Sequence, residues 1–458
     1  MAEQLTVLVM AAGKGTRMRS ALPKVLHPIC GRPMVQWVID AAQAAGAAKI
    51  VCVTRPGDGV AEGLPEGVEI VEQTTGEGTG AAVLAARAAV APGSQTMILS
   101  GDQPLISQGL LRELVVAHDA AGAAATLLTT DGLDPTGYGR IVRGADGAVE
   151  RIVETKDPSG VPAAELALRE INLGTYVFDS DALYAALDSV GEESGETYLT
   201  GVFPQLRERG LTVAANLTDD LASAVGVNSR VDLMDAERLA QRRILERHAL
   251  AGVRFLAPDS TCVDADVEIG ADTTIGSGVT LRGDTRIGAR CEIGPQTTIA
   301  DSSLADGVVC LHSFVTGARI EDGGSVGPFA YLRPGAHIGA EAKVGTFVEV
   351  KNSEIGAGAK VPHLSYLGDA DVGDGANVAA GNITANYDGF RKHRTKIGAG
   401  ARTGVNSSFV APVTVGDGAY IGAGSVISED VPPGALGISR PEQRNVDGYT
   451  ERIERERG

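Results

Sequence analysis

A glycine-rich segment near the N-terminus holds the first residues whose types suggest chemistry. It spans residues 10–18 (MAAGKGTRM), and Lys24 follows six positions later. Small residues let backbone N–H groups approach a phosphate closely, while Arg17 and Lys24 add cations suited to a polyphosphate. The segment is not a G-x-G-x-x-G dinucleotide turn, since Met18 stands at the third glycine, and it lacks the Gly-Lys-Ser/Thr of a P-loop. Without further evidence, such a turn is as often a simple strand-to-helix connection as it is a phosphate-binding site.

Two more side chains suit catalysis by type. Asp102 follows an apolar run at residues 96–99, where a carboxylate either binds a metal or caps a helix. His363 lies in the string KVPHLSYLGD at residues 360–369. A neutral imidazole suits general-base catalysis near physiological pH, although a single histidine is more often structural. The secondary structure around Asp102 and His363 is needed to choose between a catalytic and a structural role for each.

The first half of the chain, up to about Asn228, alternates short apolar runs with helical patterns. The predicted strands are residues 6–10, 50–53, 96–99 and 124–128, and the predicted helices include residues 34–45 and 80–90. This alternation indicates a parallel sheet covered on both faces, in which ligands bind outside the carboxyl ends of the strands. The glycine-rich segment and Asp102 both follow such strands.

The second half is repetitive, and an amphipathic helix at residues 229–251 is predicted to precede it. Aliphatic or aromatic residues recur every six positions in three runs that begin at Ile269, Ile320 and Phe409. Six-residue periods are typical of a parallel β-helix with triangular coils of about 18 residues. About ten such coils fit residues 252–430.

The six-residue rhythm is interrupted once. Ile383 and Ile397, which we expect to point inward, stand 14 positions apart. A β-helix that interrupts its repeat extrudes a loop, and such loops often carry binding sites. We expect this loop to bring Asn386 and Tyr387 beside His363.

Composition and charge exclude several functions. The chain has 458 residues, a net charge of −18 and no basic stripe with interleaved aromatics, which argues against nucleic acid as a partner. No apolar stretch approaches the ~18 residues of a membrane span, so we expect a soluble, cytoplasmic protein without a membrane partner. The five cysteines include no C-x-x-C pair and support neither a disulfide framework nor a zinc site, so buried free thiols are expected.

Further short strings extend both patterns. In the first half they are Pro23-Lys24, Gln73 with Gly78-Thr79, Gly101-Asp102, Gly137-Tyr138-Gly139-Arg140, Glu154 with Lys156-Asp157, Asn172-x-Gly174 and Gly226-Val227-Asn228. With the glycine-rich segment, they resemble the signature of sugar-phosphate nucleotidyltransferases. In the second half, residues 360–369 and 386–389 are accompanied by Arg333-Pro334-Gly335, Lys351 and Arg440. Over nearly its whole length the chain resembles the family of bifunctional N-acetylglucosamine-1-phosphate uridylyltransferases / glucosamine-1-phosphate acetyltransferases.

The resemblance implies an N-terminal site for UTP and UDP-N-acetylglucosamine. Its residues would be Met10, Ala11, Ala12, Gly13, Arg17, Lys24, Gln73, Gly78, Thr79, Ser100, Gly101, Asp102, Gly139, Glu154, Asn172 and Asn228. Arg17 and Lys24 would contact the phosphates. Asp102 and Asn228 would hold Mg²⁺, the implied cofactor. Gly139, Glu154 and Asn172 would line the acetylamino-sugar site.

The resemblance also implies an acetyl-transfer site in which His363 is the general base. The sugar phosphate would bind to Arg333, Lys351, Tyr366, Asn377, Asn386, Tyr387 and Lys392. Acetyl-CoA, the acyl donor, would bind to Ala380, Asn386, Tyr387, Val405, Ala423 and Arg440.

The implied architecture is a Rossmann-like α/β nucleotidyltransferase domain (residues 1–228), a linker helix (229–251), an all-β left-handed parallel β-helix acetyltransferase domain (252–441) and a C-terminal tail (442–458). The enzyme would acetylate glucosamine-1-phosphate with acetyl-CoA. It would then transfer uridylyl from UTP to N-acetylglucosamine-1-phosphate, release pyrophosphate and so make UDP-N-acetylglucosamine. The β-helix of this family packs as a homotrimer with CoA sites between subunits.

Four positions depart from the family pattern, and two alternative functions stay open. Ser100 replaces Tyr, Gly201 replaces Asp, Asn382 replaces Thr, and Val405 replaces Ser, which we expect to weaken CoA binding or shift it to the backbone. One alternative is a monofunctional nucleotidyltransferase for glucose- or mannose-1-phosphate whose repeat only oligomerises. The other is a non-catalytic sugar-nucleotide sensor or scaffold, although Asp102, Asn228 and His363 are all present.

Overall fold

A computed structural model describes residues 5–155, 160–192 and 195–457. The chain divides into two compact units, Met1–Arg242 and Arg243–Gly458. The division falls inside a 21-residue helix, Arg230–Leu250, which covers the predicted linker. The domain limits predicted from the sequence stay predictions.

The first unit is built on a nine-stranded sheet. Its strands are β1 (Leu5–Met10), β2 (Lys49–Thr54), β3 (Glu69–Glu72), β4 (Gln95–Ser100), β5 (Ala125–Thr130), β6 (Arg140–Arg143), β7 (Val149–Val153), β8 (Ile171–Asp179) and β9 (Val213–Leu217). The order across the sheet is β9-β5-β8-β4-β1-β2-β3, and β6 and β7 form an antiparallel pair attached to β8. The prediction of a parallel sheet is wrong at β8, which runs antiparallel to both of its neighbours β4 and β5. A small hairpin joins Pro28–Ile29 to Arg32–Pro33.

Helices cover both faces of this sheet, as predicted. They are α1 (Met34–Ala45), α2 (Thr79–Ala85), α3 (Gln108–Ala121), α4 (Ala163–Leu166), α5 (Ser180–Leu187) and α6 (Val202–Glu208); the long helix Arg230–Leu250 is α7. Short 3₁₀ turns lie at Thr16–Met18, Lys24–Leu26, Ala61–Gly63, Arg87–Ala89 and Leu199–Gly201. Along β1, Leu8 packs in one buried cluster while Val7 and Val9 pack in another, because successive side chains of a strand point to opposite faces.

The second unit is a triangular parallel β-helix with three stacked faces. The first face holds Arg254–Phe255, Thr274–Ile275, Glu292–Ile293, Val309–Cys310, Ser325–Val326, Lys343–Thr346 and Lys360–His363. The second holds Cys262–Val263, Thr280–Arg282, Thr298–Ala300, Phe314–Thr316, Tyr331–Leu332, Glu349–Lys351, Tyr366–Gly368, Ile383–Ala385, Ser408–Val410 and Val426–Ile427. The third holds Glu268–Ile269, Arg286–Ile287, Ser303–Leu304, Arg319–Ile320, His337–Ile338, Glu354–Ile355, Ala370–Val372, Thr395–Ile397 and Val413–Val415.

The ten strands of the second face agree with the ten predicted coils. Beyond them, Tyr420–Ile421 pairs with Leu436–Gly437, and helix α8 (Tyr449–Arg457) lies in the tail. A 3₁₀ turn at Pro258–Ser260 precedes the second face. Each coil strand buries an inward side chain, most often an aliphatic one, so the stacked coils form a continuous column.

Three expectations about the β-helix are wrong. Ile383 does not point inward: it is 41% exposed, and the next residue, Thr384, is 1% exposed and takes the inward place. The rhythm also shortens to five residues at several corners, for example between Ile299 and Leu304, so one interruption does not describe it. Of the five free cysteines, Cys262 is exposed, because it occupies an outward position of a coil strand.

Within the described ranges, no helix combines the length and the apolar character needed to cross a membrane. The same ranges contain no group of three or more His, Cys, Asp or Glu side chains suited to a metal ion.

Candidate active sites

A cavity of about 430 Å³ opens at the carboxyl ends of β1, β2 and β4, at the edge where ligands bind in such sheets. Eleven of the predicted residues line it: Met10, Ala12, Gly13, Arg17, Lys24, Gln73, Gly78, Thr79, Ser100, Asp102 and Asn228. Ala11, within the glycine-rich segment, is buried, and its N–H donates to the Val53 carbonyl. Gly101 likewise donates to the Met10 carbonyl and holds two strand ends together.

Lys24 is the centre of the polar groups in this cavity. Its ammonium donates to Oδ2 of Asp102 and, over 3.2 Å, to Oδ1 of Asn228. Arg17 donates to the same Asn228 oxygen at 2.9 Å, and Ser100 Oγ donates to Oδ1 of Asp102 at 2.6 Å. A carboxylate oxygen and an amide oxygen thus converge on a single cation. This oxygen pair fits Mg²⁺, which would take its remaining ligands from water and phosphate.

Gly15 makes this arrangement possible. Its φ is +58°, a left-handed conformation that favours glycine, and a Cβ there would lie 2.7 Å from Cβ of Lys24. A side chain at residue 15 would therefore push Lys24 away from Asp102 and Asn228.

Arg55 and Glu77 line the cavity as well, and the sequence interpretation missed both. Arg55 donates through Nε to the Ala12 carbonyl and pairs with Glu77 at 2.6 Å, while Lys14 lies 3.4 Å from the same carboxylate. The hydrogen bonds from Arg55 lead the causes that lower the pKa of Glu77. The sequence could have indicated Arg55, because it directly follows β2 at the same sheet edge as the glycine-rich segment.

The predicted acetylamino-sugar residues lie apart from that cavity. Glu154 lines a neighbouring cavity of about 650 Å³, to which Tyr198 also contributes, and it accepts a hydrogen bond from Thr200 at 3.0 Å. The Asn172 N–H donates to the Gly139 carbonyl at 2.9 Å, and its side chain donates to the Tyr176 hydroxyl. Lys156 and Asp157 fall outside the described residues.

Five predicted sugar-phosphate residues gather on the β-helix around Asp369. Lys351 lies 3.8 Å from its carboxylate, and Asn386 donates to it at 2.5 Å. Lys392 is close enough to Lys351 that the neighbouring ammonium lowers its pKa. A Cβ on Gly368 would lie 2.8 Å from the Asn386 amide nitrogen, and it would also clash with the Tyr366 hydroxyl. Arg333, held by Glu349 at 2.8 Å, completes the group.

His363 lies on a corner and is exposed. In the described part of the chain its imidazole has no hydrogen bond or ion pair, whereas its carbonyl accepts from Gly381 and Ser365. Tyr387 donates to the Gly389 carbonyl and is 61% exposed, and Asn377 is exposed between two coils. The closeness of Asn386 and Tyr387 to His363 stays a prediction.

Four of the six predicted acetyl-CoA residues form a column that continues from His363; the other two, Asn386 and Tyr387, lie in the extruded loop. The Ala380 carbonyl accepts from Asn406 at 2.9 Å, and the Val405 carbonyl accepts from Gly424 at 2.8 Å. The Ala423 carbonyl accepts from the Arg440 guanidinium at 2.8 Å. Successive corners of the β-helix therefore stack these four residues along one edge.

Comparison with known proteins agrees with this division. Residues 7–196 match the MobA-like NTP transferase domain, and residues 266–301 and 394–429 match the bacterial transferase hexapeptide family of six repeats. The bifunctional protein GlmU of Shouchella clausii is 44% identical over 97% of this chain and 98% of its own length. Those of Mycolicibacterium vanbaalenii and Brevibacillus brevis are each 47% identical, over 97% and 99% of this chain and 92% and 98% of their own lengths.

The chain belongs to the bifunctional GlmU family. The predicted fold is confirmed: an α/β nucleotidyltransferase half and a left-handed β-helix of hexapeptide repeats. The predicted function, a bifunctional uridylyltransferase and acetyltransferase of UDP-N-acetylglucosamine synthesis, is confirmed by this membership. It is favoured over the monofunctional enzyme and the non-catalytic sensor.

The structure gives a physical account of three departures from the GlmU pattern. Ser100 donates to Asp102, as described above. Gly201 leaves room for Val190, since a Cβ there would lie 2.8 Å from a methyl group of that valine. Asn382 is buried and its amide donates to the carbonyls of Ala379 and Gly404, joining two corners. Val405 exposes an apolar side chain where a hydroxyl is usual.

Proposed function

We propose that uridylyl transfer takes place in the cavity around Lys24. The observation that carries this proposal is the convergence of Asp102 and Asn228 on the Lys24 ammonium. An oxygen of N-acetylglucosamine-1-phosphate attacks the α-phosphorus of UTP in line, and pyrophosphate leaves. Lys24 and Arg17 offset the charge of the phosphates, and the glycine-rich segment after Ala11 lets the backbone approach them closely.

Mg²⁺ held by Asp102 and Asn228 would supply further charge neutralisation at the phosphates. Lys24 would then contact a phosphate in place of these oxygens, because two cations would otherwise compete for one oxygen pair. Glu154, Asn172 and the backbone of Gly139 would orient the acetylamino sugar. Arg55 would hold the Ala12 carbonyl and so the shape of the glycine-rich segment.

We propose that acetyl transfer takes place on the β-helix beside His363. The amine of glucosamine-1-phosphate attacks the thioester carbonyl of acetyl-CoA and the imidazole of His363 accepts the amine proton. The C–S bond then breaks, and His363 returns this proton to the sulfur, so that CoA leaves as the thiol. The ring of His363 is exposed and bonds to no other side chain among the described residues, which suits a base that works on bound substrate. Arg333, Lys351 and Lys392 supply the cations for the sugar phosphate. CoA would lie along the column of Ala380, Val405, Ala423 and Arg440.

We propose a homotrimer as the active form. Phe329, Phe347 and Leu364 form an exposed apolar ridge on one corner, with 53%, 60% and 60% of their surfaces exposed. The Phe329 and Phe347 rings stack at 5.5 Å, and all three residues have left-handed φ values, which disfavour bulky side chains. Phe390 in the extruded loop is 92% exposed. Such a set is expected at a protein interface, here with further copies of the chain.

One preparation tests both activities. With acetyl-CoA, glucosamine-1-phosphate, UTP and Mg²⁺, we expect CoA, pyrophosphate and UDP-N-acetylglucosamine. Without acetyl-CoA the nucleotide sugar should not form, and N-acetylglucosamine-1-phosphate should restore it. Pyrophosphate release without any CoA release from the full mixture would contradict the acetyl-transfer proposal. The cytoplasmic location inferred from the sequence stays a prediction.

Light scattering tests the trimer. The wild-type chain should show three times its monomer mass, and Phe347→Asp should lower that mass and acetyl transfer together. Val116→Asp, a change of a 66% exposed residue in the first unit, is the control. A monomer with full acetyl transfer would refute the trimer as the active form.

A further inference from the structure

We infer that Asp369 is a positioning residue of the acetyl-transfer site, an inference that rests on the function proposed for that site. Its side chain is 7% exposed, so a charged group is held away from water. A buried carboxylate is tolerated when its oxygens are fully hydrogen-bonded. The partners of Asp369 therefore indicate its role.

Both carboxylate oxygens of Asp369 are occupied. Oδ1 accepts from the Asn352 amide at 2.6 Å, and Oδ2 accepts from the Asn386 amide at 2.5 Å. Lys351 lies 3.8 Å from Oδ2. Burial by itself would raise the pKa of Asp369, but these hydrogen bonds and the nearby lysines lower it, so the carboxylate stays ionised at neutral pH.

The backbone of Asp369 stands where the extruded loop leaves and rejoins the β-helix. Its N–H donates to the Lys351 carbonyl at 3.0 Å, and its carbonyl accepts from Thr395 at 3.1 Å, the first residue of the strand that follows the loop. The side chain reaches Asn386, at the loop's other end. Asp369 therefore ties both ends of the loop to the coil that carries Lys351.

The charge of Asp369 has a second consequence. Lys351 and Lys392 are near neighbours, and the ammonium of Lys351 lowers the pKa of Lys392. The Asp369 carboxylate interacts with both ammonium groups, so it offsets part of their repulsion and helps to keep two cations together for a phosphate. The same carboxylate fixes the Asn386 amide in one orientation, so that little conformational entropy of this amide is lost when substrate binds.

The test is Asp369→Asn in the full-length chain. The amide has similar size, but it replaces one accepting oxygen with a donor, so it cannot accept from both Asn352 and Asn386. We expect kcat/KM for acetyl transfer to fall about 10-fold to 100-fold, with part of the loss in KM for glucosamine-1-phosphate. Uridylyl transfer in the same preparation should be unchanged. Asp369→Ala, which removes the carboxylate without adding a donor, should give a loss of at least that size.

A double-mutant cycle separates positioning from stability. If Asp369 acts through Asn386, the pair Asp369→Asn with Asn386→Ala should lose little more activity than the worse single variant. Asn352→Ala is the matched control: it removes the other hydrogen bond of the same carboxylate, and acetyl transfer should stay within about 3-fold of wild type. Asp306→Asn, a corner carboxylate bonded to Ala289 and Arg290, should have no effect.

Three results would overturn the inference. They are wild-type acetyl transfer in Asp369→Asn, fully additive losses in the cycle, or an equal loss in Asn352→Ala. A wild-type chain that makes no N-acetylglucosamine-1-phosphate would instead refute the proposed function itself, so the two failures are distinguishable.

Discussion

The two candidate sites are built in opposite ways. In the first unit, Lys24 and Asp102 contact each other in a cavity, with 12% and 17% of their side chains exposed. On the β-helix, His363 is exposed and Tyr387 is 61% exposed. The first site is thus largely assembled within one unit. The second presents its side chains outward, as expected of a site that another surface covers.

The difference follows from how each fold gathers residues. A doubly wound sheet brings the ends of several strands to one edge, so distant parts of the chain meet in a crevice. A β-helix repeats the same corner in every coil, so equivalent positions stack along an edge. The first fold yields a pocket, and the second yields a column with one loop beside it.

Replacing the base should give the largest effect and test the independence of the two sites. We expect His363→Ala to lower kcat for acetyl transfer about 100-fold to 10,000-fold, the usual contribution of a general base. Uridylyl transfer from N-acetylglucosamine-1-phosphate should survive. Product analysis with each substrate pair measures both. Parallel loss of the two activities would mean that the sites are not independent.

The corresponding change in the first unit is Asp102→Asn. It keeps the size of the side chain but removes the charge that faces Lys24, and we expect uridylyl transfer to fall about 100-fold to 1,000-fold. Acetyl transfer by the same preparation is the internal control. Normal pyrophosphate release by this variant would show that the cavity around Lys24 is not the uridylyl-transfer site.

A subtler change sharpens the view that the first site is pre-assembled. Ser100→Ala removes the hydrogen bond to Oδ1 of Asp102, and we expect the affinity for divalent metal to fall about 10-fold. Mn²⁺ binding measured by electron paramagnetic resonance checks this independently of turnover. Unchanged affinity would mean that Asp102 needs no help from its neighbour.

The smallest expected effect concerns the β-helix, away from the proposed acetyl-transfer residues. Burial alone would lower the pKa of His337, but hydrogen bonds to Glu321 and Glu354 outweigh it and raise the pKa above 6.5. The resulting stabilisation is fully present below pH 6.5 and is lost as the pH rises through the raised value. His337→Gln should lower the unfolding temperature by about 1–3 °C at pH 6 and not at pH 9. Calorimetry across pH measures the difference, and a pH-independent difference would contradict this.

Much of this molecule could be predicted from its sequence, because both folds follow regular patterns. Helix α1 spans residues 34–45, as the pattern predicts, and the ten strands of the second face match the ten predicted coils. Eleven predicted residues share one cavity because strand ends meet at one edge. The family resemblance supplied His363, which no pattern distinguishes from a structural histidine.

The rest depended on contacts between distant parts of the chain. The antiparallel course of β8 does not show in its buried residues, since parallel and antiparallel central strands bury similar side chains. Ile383 and Thr384 differ by one position, and a one-residue shift reverses which side chain points inward. Asp369 gained its importance only from partners such as Asn386, 17 positions away, whereas the place of Arg55 after β2 could have been noticed but not its pairing with Glu77, 22 positions away.

The extruded loop interrupts the chain without interrupting the stack. Tyr366 pairs with Ile383 and Ile383 with Ser408 on the second face, while Val372 pairs with Ile397 on the third. The two ladders thus keep their register on either side of the loop, which adds side chains to the candidate site without adding a coil. A change inside the loop that leaves Asn386 and Thr395 in place should therefore alter substrate binding more than the stability of the β-helix.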